Sequence, residues 1–219
     1  MEDAAQSFGA TLNGRRSGGL STLACTSFFP TKPLGGAGDG GALFTDDSGL
    51  ACRAREIRDH GQSGKYRHVR LGINGRLDSL ACAALLCRLP GLEGAITRRQ
   101  EIAHRYDLLL GDAVADGLIQ LPVVRDTCTS AYAQYTVQLG NRESVIDAMR
   151  QGGVQVSVHY SQPLHHQPAF RDEVRHGDLT RSEAAAQRVL CLPIYPGLSV
   201  QQQALTASLL LRTLAAQSD

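Results

Sequence analysis

The sequence predicts an α/β fold in two parts, on three observations. Over the first ninety or so residues, short apolar runs sit between glycine-rich turns. Leu92 to Leu110 then carries apolar and charged residues at helical spacing, long enough to link two domains. Beyond it the pattern runs strand, helix, strand, helix, which suits a small α/β domain. The boundary is placed at 97/98, giving parts 1–97 and 98–219.

Each element has its own signal. Leu23 to Phe29 and Gly41 to Thr45 read as short buried strands. Ser48 to Arg58 has a polar start and a basic end, as a helix macrodipole favours, and Asp78 to Leu89 opens on aspartate and carries the small residues Ala81, Ala83 and Ala84. In the second part Tyr132 to Leu139 alternates as a strand, Arg142 to Gln151 is a helix stopped by Gly152 and Gly153, and Val154 to Tyr160 alternates again. Thr180 to Glu183 reads as a capping box before Ala184 to Leu190, and Val200 to Ala215 as the last helix.

Composition narrows the function classes. With 219 residues and 42% hydrophobic content, the chain can bury a real core. A formal charge of +1 gives no reason to expect nucleic acid or an anionic membrane as partner. Cys25, Cys52, Cys82, Cys87, Cys128 and Cys191 include no Cys-x-x-Cys pair, so they read as buried thiols in a reducing cytosol. The start, Met1-Glu-Asp-Ala-Ala-Gln, has neither a basic nor an apolar leader region, and no apolar run is expected to span a bilayer. A cytoplasmic protein is expected.

One lysine stands out. In Thr26-Ser-Phe-Phe-Pro-Thr-Lys32-Pro-Leu-Gly it follows an apolar strand and precedes a glycine-rich turn. An amine held in an apolar pocket near other cations loses part of its preference for the charged form, and the neutral amine can form a Schiff base with an aldehyde. The ordinary alternative is a turn lysine pointing into water.

The company that Lys32 keeps is decisive. Met1-Glu-Asp3-Ala-Ala-Gln6, Thr22-Leu-Ala-Cys-Thr-Ser27 through Lys32, and Gly38-Asp-Gly-Gly-Ala-Leu-Phe-Thr45 resemble the DegT/DnrJ/EryC1/StrS sugar aminotransferases, which use pyridoxal 5'-phosphate. The resemblance continues through His60-Gly-Gln, Gly72-Ile-Asn74-Gly-Arg76-Leu-Asp, Ala133-Gln-Tyr-Thr-Val137, Val158-His159-Tyr160 and Leu192-Pro-Ile-Tyr-Pro-Gly-Leu198, covering nearly the whole chain. Within the family it is most similar to enzymes acting on UDP-2-acetamido-2-deoxy-3-oxo-glucuronate.

That resemblance implies the fold of aspartate aminotransferase, a large cofactor-binding domain and a smaller one. It implies transamination in two halves, with glutamate as donor and a UDP-linked 3-keto sugar as acceptor, in bacterial surface-polysaccharide (O-antigen) synthesis. By the same resemblance Lys32 would be the catalytic lysine that carries the cofactor. Asp3 would pair with the pyridine nitrogen, Gln6 with the ring hydroxyl, and Ser27 with the phosphate. Asn74 would reach the cofactor phosphate of a neighbouring subunit, implying a homodimer with shared active sites. Arg76 would meet substrate carboxylate or phosphate with a two-pronged bond, and His159 and Tyr160 would face the sugar. Taken singly, each is more often an ordinary cap, turn or surface residue.

Two other patterns carry less. Gly36-Ala-Gly38-Asp-Gly-Gly41 matches Gly-x-Gly-x-x-Gly, but a strand-like run follows it where a dinucleotide fold needs a helix. His165-His166 with His159 and His176 lack an acidic or cysteine ligand pattern and read as loop and surface histidines, so no metal is expected. Against the relatives, Ala37 replaces an aromatic, Ala81 a glutamine and Ser161 a proline. The relatives also carry a long segment before Glu-Asp-Ala-Ala-Gln, including a phosphate-binding helix N-terminus and a stacking aromatic, so the chain is expected to be truncated. The alternative function is an inactive remnant or a non-catalytic dimerisation partner of an intact paralogue.

Overall fold

The computed structural model describes residues 1–170 and 177–217. In chain order the elements are β1 (Glu2–Asp3), β2 (Thr11–Leu12), β3 (Arg15–Arg16), β4 (Ala24–Ser27), β5 (Gly41–Phe44), α1 (Ser48–Arg58), β6 (Gln62–Gly64), β7 (Arg67–His68) and α2 (Ser79–Arg88). They continue through α3 (Leu92–Leu109), α4 (Gly111–Ala115), β8 (Ile119–Gln120), β9 (Cys128–Thr129), β10 (Tyr135–Leu139), α5 (Arg142–Gln151), α6 (Thr180–Arg188), β11 (Val189–Leu192) and α7 (Val200–Ala215). Two compact units result: Met1–Thr97 with Val124–Ala133, and Arg98–Val123 with Gln134–Asp219.

In the first unit, β1 and β4 run parallel and β5 joins β4 antiparallel. One face of this sheet is packed: Ala24 is fully buried and Thr26 nearly so, while on the opposite face Asp3 and Leu43 are exposed. The unit's core gathers Ala10, Leu34, Leu85, Leu92, Ile96 and Ala131, with Phe8, Phe28 and Leu77 against it. Gly9 has φ +93°, so the turn after β1 needs glycine for its backbone, and a Cβ there would meet the end of the Ile96 side chain, Cδ1, at 2.1 Å. The segment Val124–Ala133 joins this unit because β9 pairs with β2, with Thr11 N donating to Thr129 Oγ1 at 2.9 Å.

Helix caps follow sequence chemistry. Asp47 accepts from Leu50 N and Asp78 from Ala81 N, each filling an orphan donor at its helix start. Together with a 3-10 turn at Leu89–Gly91, α2 and α3 form a 31-residue helical stretch, Ser79–Leu109, with an 18-residue window of mean hydropathy 1.4. That stretch is long and apolar enough to cross a bilayer by length and composition only. Leu85, Leu92 and Ile96 instead anchor it in the core of the first unit.

In the second unit an antiparallel sheet has the order β11, β10, β8. Alternation along β10 buries Tyr135, Val137 and Leu139 completely. Helix α5 lies against α7, and α6 against β10. Two polar side chains inside this unit are paired: Tyr135 Oη donates to Asp107 Oδ1 at 2.6 Å, and Gln203 Nε2 donates to Ile102 O at 2.6 Å. Burial pushes the Tyr106 hydroxyl up to about 12, so it stays protonated and donates to Pro193 O at 3.0 Å.

Three expectations need correction. Val154 to Tyr160 forms no strand; it touches β11 only at an isolated bridge between Ser157 and Cys191. The proposed cap box at Thr180 is also displaced: the cap position is Leu179, and the Thr180 N–H is taken by Asp178 Oδ1 at 3.0 Å. The complete capping box stands at Ser199 and Gln202, before α7. Finally, the cysteines are not uniformly buried thiols, since Cys52 and Cys87 are exposed.

Candidate active site

The parallel pair β1–β4 sets the site. Asp3 pairs with Cys25, and Ala4 N donates to Cys25 O at 2.7 Å, so the two strands end side by side with Ser27 two residues farther along β4. Period-2 alternation puts Asp3, Cys25 and Ser27 on one face, the open one. Ligands of α/β sheets bind outside the carboxyl ends of parallel strands. Asp3, Ser27 and the loop carrying Lys32 all leave the sheet at that end.

The Lys32 loop is built, not slack. Lys32 N donates to Phe29 O at 2.9 Å, Gly36 N to Phe28 O at 2.7 Å, and Phe28 N to Gly40 O at 2.7 Å, closing the loop on itself. Leu34 plugs it into the core, and Arg88 donates to Gly35 O from α2. A Cβ on Gly35 would meet Pro30 O at 2.2 Å, so only glycine lets the chain fold back beneath Lys32. Lys32 is half-buried. The Ser27 hydroxyl accepts from Phe29 N at 3.1 Å and the Asp3 carboxylate from Ala5 N at 2.9 Å, which fixes both oxygens at the strand ends. Gln6 follows on the exposed turn after β1.

Asn74 and Arg76 belong to the same unit but to another feature. The chain from Val69 to Gly75 is zipped to the end of α1: Ile73 N donates to Ile57 O, and Gly75 N to Arg58 O, both at 2.8 Å. Asn74 forms a bridge with Asp59, and Arg76 Nη1 pairs with Asp59 Oδ1 at 2.5 Å, both partly exposed. The pairing of Arg76 with Asp59 was not visible in sequence, where the two lie 17 residues apart. His159 and Tyr160 are exposed in the second unit, just past the Ser157 bridge.

One residue of this region was quoted in the motif but given no role. Glu2 accepts from Ser17 Oγ and Gly18 N at 2.8 Å and from Leu20 N at 3.0 Å, tying residues 17–20 to β1 next to Asp3. Burial pushes its carboxyl up, but the Gly18 and Leu20 amides, the Ser17 hydroxyl and the Arg15 charge outweigh that and hold it below its ordinary 4.5. A depressed folded value contributes stability that is present above the unfolded value and lost as pH falls through the folded one. Glu2→Gln is therefore expected to lower the thermal midpoint by a few degrees at neutral pH and to flatten its decline below about pH 4.5. A variant with an acid limb parallel to the parent's would contradict this role.

Comparison with known proteins decides the family. The model of the DegT/DnrJ/EryC1/StrS aminotransferase family matches residues 1–209. The chain belongs to this family. A Pseudomonas aeruginosa family member, UDP-2-acetamido-2-deoxy-3-oxo-D-glucuronate aminotransferase, is 49% identical over 196 residues, 90% of this chain and 53% of that protein. A DegT/DnrJ/EryC1/StrS aminotransferase from Brucella abortus superposes with a TM-score of 0.90 at 37% identity, over 96% of this chain and 56% of that one. DesV of S. venezuelae, solved in complex with a ketimine intermediate, gives 0.90 at 36% identity, over 96% and 56%. The chain thus has this family's α/β fold and spans about half the length of the relatives it matches.

Proposed function

We propose that this chain carries the lysine-bearing part of a pyridoxal phosphate dependent aminotransferase that moves an amino group from glutamate to a UDP-linked 3-keto sugar, 2-acetamido-3-oxo-glucuronate, for bacterial surface-polysaccharide synthesis in the cytoplasm. The observation that carries it is the ending of β1 and β4 side by side, with Asp3 and Ser27 fixed there and Lys32 in a glycine-closed loop five residues on. An amine, a carboxylate and a hydroxyl at one sheet end fit the aldehyde, ring nitrogen and phosphate of the cofactor, on which this family's aminotransferases depend.

When bound, pyridoxal phosphate supplies an aldehyde that captures amines and a ring that takes up the electron pair of a broken C–H bond. The chain's own groups do the rest. Lys32 would hold the cofactor at its aldehyde and, as a positioned base and acid, would move the proton. Asp3 would keep the ring nitrogen protonated, Gln6 would orient the ring hydroxyl and Ser27 would hold the phosphate. Asn74 reaches the phosphate in a second subunit of a homodimer, and Tyr66, Leu71, Ile73 and Leu80, exposed at 82, 97, 64 and 85%, give that dimer an apolar surface to bury. Arg76 exchanges Asp59 for an anionic substrate group, and His159 and Tyr160 face the sugar.

The substrate assignment is tested by supplying nitrogen-15 glutamate and following the label. Transfer to UDP-2-acetamido-2-deoxy-3-oxo-glucuronate is expected to exceed transfer to a dTDP-linked 4-keto sugar by at least about tenfold in kcat/KM. Equal or faster transfer to the 4-keto sugar would overturn it.

A further inference from the structure

The second unit brings together a group of ligands that the function above does not use. The 3-10 turn Leu164–His166 places two adjacent imidazoles beside α6, with their rings edge to face at 4.3 Å between centroids. From α6, Glu183 Oε1 lies 3.0 Å from His165 Nε2 and 3.4 Å from His166 Nε2. The three ligand atoms all fall within 4.8 Å of one another. The expectation of loop histidines without an acidic ligand is thereby corrected: the acid comes from a helix whose cap box was misplaced, so that Glu183 is turned to the histidines and not to its own helix start. His176 lies outside the described residues.

We propose that His165, His166 and Glu183 bind a divalent transition-metal cation of the zinc class, which clips the 3-10 turn to α6. Zinc bonds imidazole nitrogen and carboxylate oxygen at about 2.0–2.2 Å, and tetrahedral geometry then sets the ligands about 3.3–3.5 Å apart. The two nitrogen-to-oxygen distances lie close to that spacing before any adjustment, so small side-chain rotations complete the site. Two imidazoles and a carboxylate are a known zinc donor set and leave one position for water. The burial gradient suits a binding site with an entrance: the side chain of His165 is 6% exposed, that of Glu183 38% and that of His166 49%. A rigid buried ligand is thus joined by two that solvent can reach.

The test is a calorimetric titration of the full chain, stripped with chelator, with zinc chloride. One zinc per chain with a Kd of about micromolar or tighter is expected, together with a rise in the unfolding midpoint as zinc is added. His166→Ala and Glu183→Gln alter partly exposed side chains and are expected to weaken binding on the order of 10–100-fold, whereas His104→Ala on α3 leaves it unchanged. Zinc held by the exposed thiols Cys52 and Cys87 would survive both ligand substitutions, and that outcome overturns the site. So would less than stoichiometric uptake, which would leave the His165–Glu183 contact as a hydrogen-bonded clip only.

Discussion

If the proposed function holds, replacing Lys32 by alanine is expected to remove covalent cofactor attachment and to lower amino transfer by on the order of 10⁴-fold or more, because one side chain would supply both the attachment point and the positioned base. The fold should survive. Lys32 is not part of the core; its loop is held by Leu34, by the Phe28–Gly36 and Phe28–Gly40 backbone bonds and by Arg88 on Gly35, none of which the substitution touches. Thermal unfolding of Lys32→Ala should therefore stay within about 0.5 kcal/mol of the parent, as for substitutions away from core and caps. Retained turnover in that variant would remove Lys32 from the mechanism, and a large loss of stability would show that the loop is organised differently.

Asp3→Asn is the second large effect expected. Asparagine is close in shape and can still accept from Ala5 N, so the turn after β1 should keep its geometry. What disappears is the negative charge that, in the proposed function, would keep the ring nitrogen protonated. Attachment to Lys32 should persist, while the rate of proton removal from the amino donor falls by on the order of 10²–10³-fold. Single-turnover measurement with glutamate separates the two, and an unchanged rate would exclude Asp3 as the ring's partner.

Much of this could be read from the chain itself, and the failures have a common physical source. Helices α1, α5 and α7 begin and end on local chemistry: Asp47 caps the first, Gly152 and Gly153 close the second, and Ser199 with Gln202 caps the third. Local signals of that kind sit within a few residues of what they control. The Lys32 loop was legible for the same reason, as strand, lysine and closely spaced glycines are contiguous. Contacts between distant segments left no such trace. Nothing near Thr129 signals its bond to Thr11 across 118 positions, which carries Val124–Ala133 into the first unit. Asp59 gives no hint of Arg76, nor Glu183 of His165. Alternation in Val154–Tyr160 is genuine, with Val154 buried, yet β11 accepts this segment only at Cys191, and alternation alone cannot supply a ladder.

Borohydride reduction in the presence of pyridoxal phosphate, followed by peptide mapping, tests the central claim most directly. Lys32 and Lys65 are the two lysines in the chain. They differ in setting: Lys65 is exposed in the turn between β6 and β7, its ammonium 5.2 Å from the Tyr66 ring centroid, whereas Lys32 is half-buried at the end of the β1–β4 pair. The account predicts a single pyridoxyl group, on the peptide containing Lys32. Modification of Lys65 instead, or of both lysines equally, would contradict it.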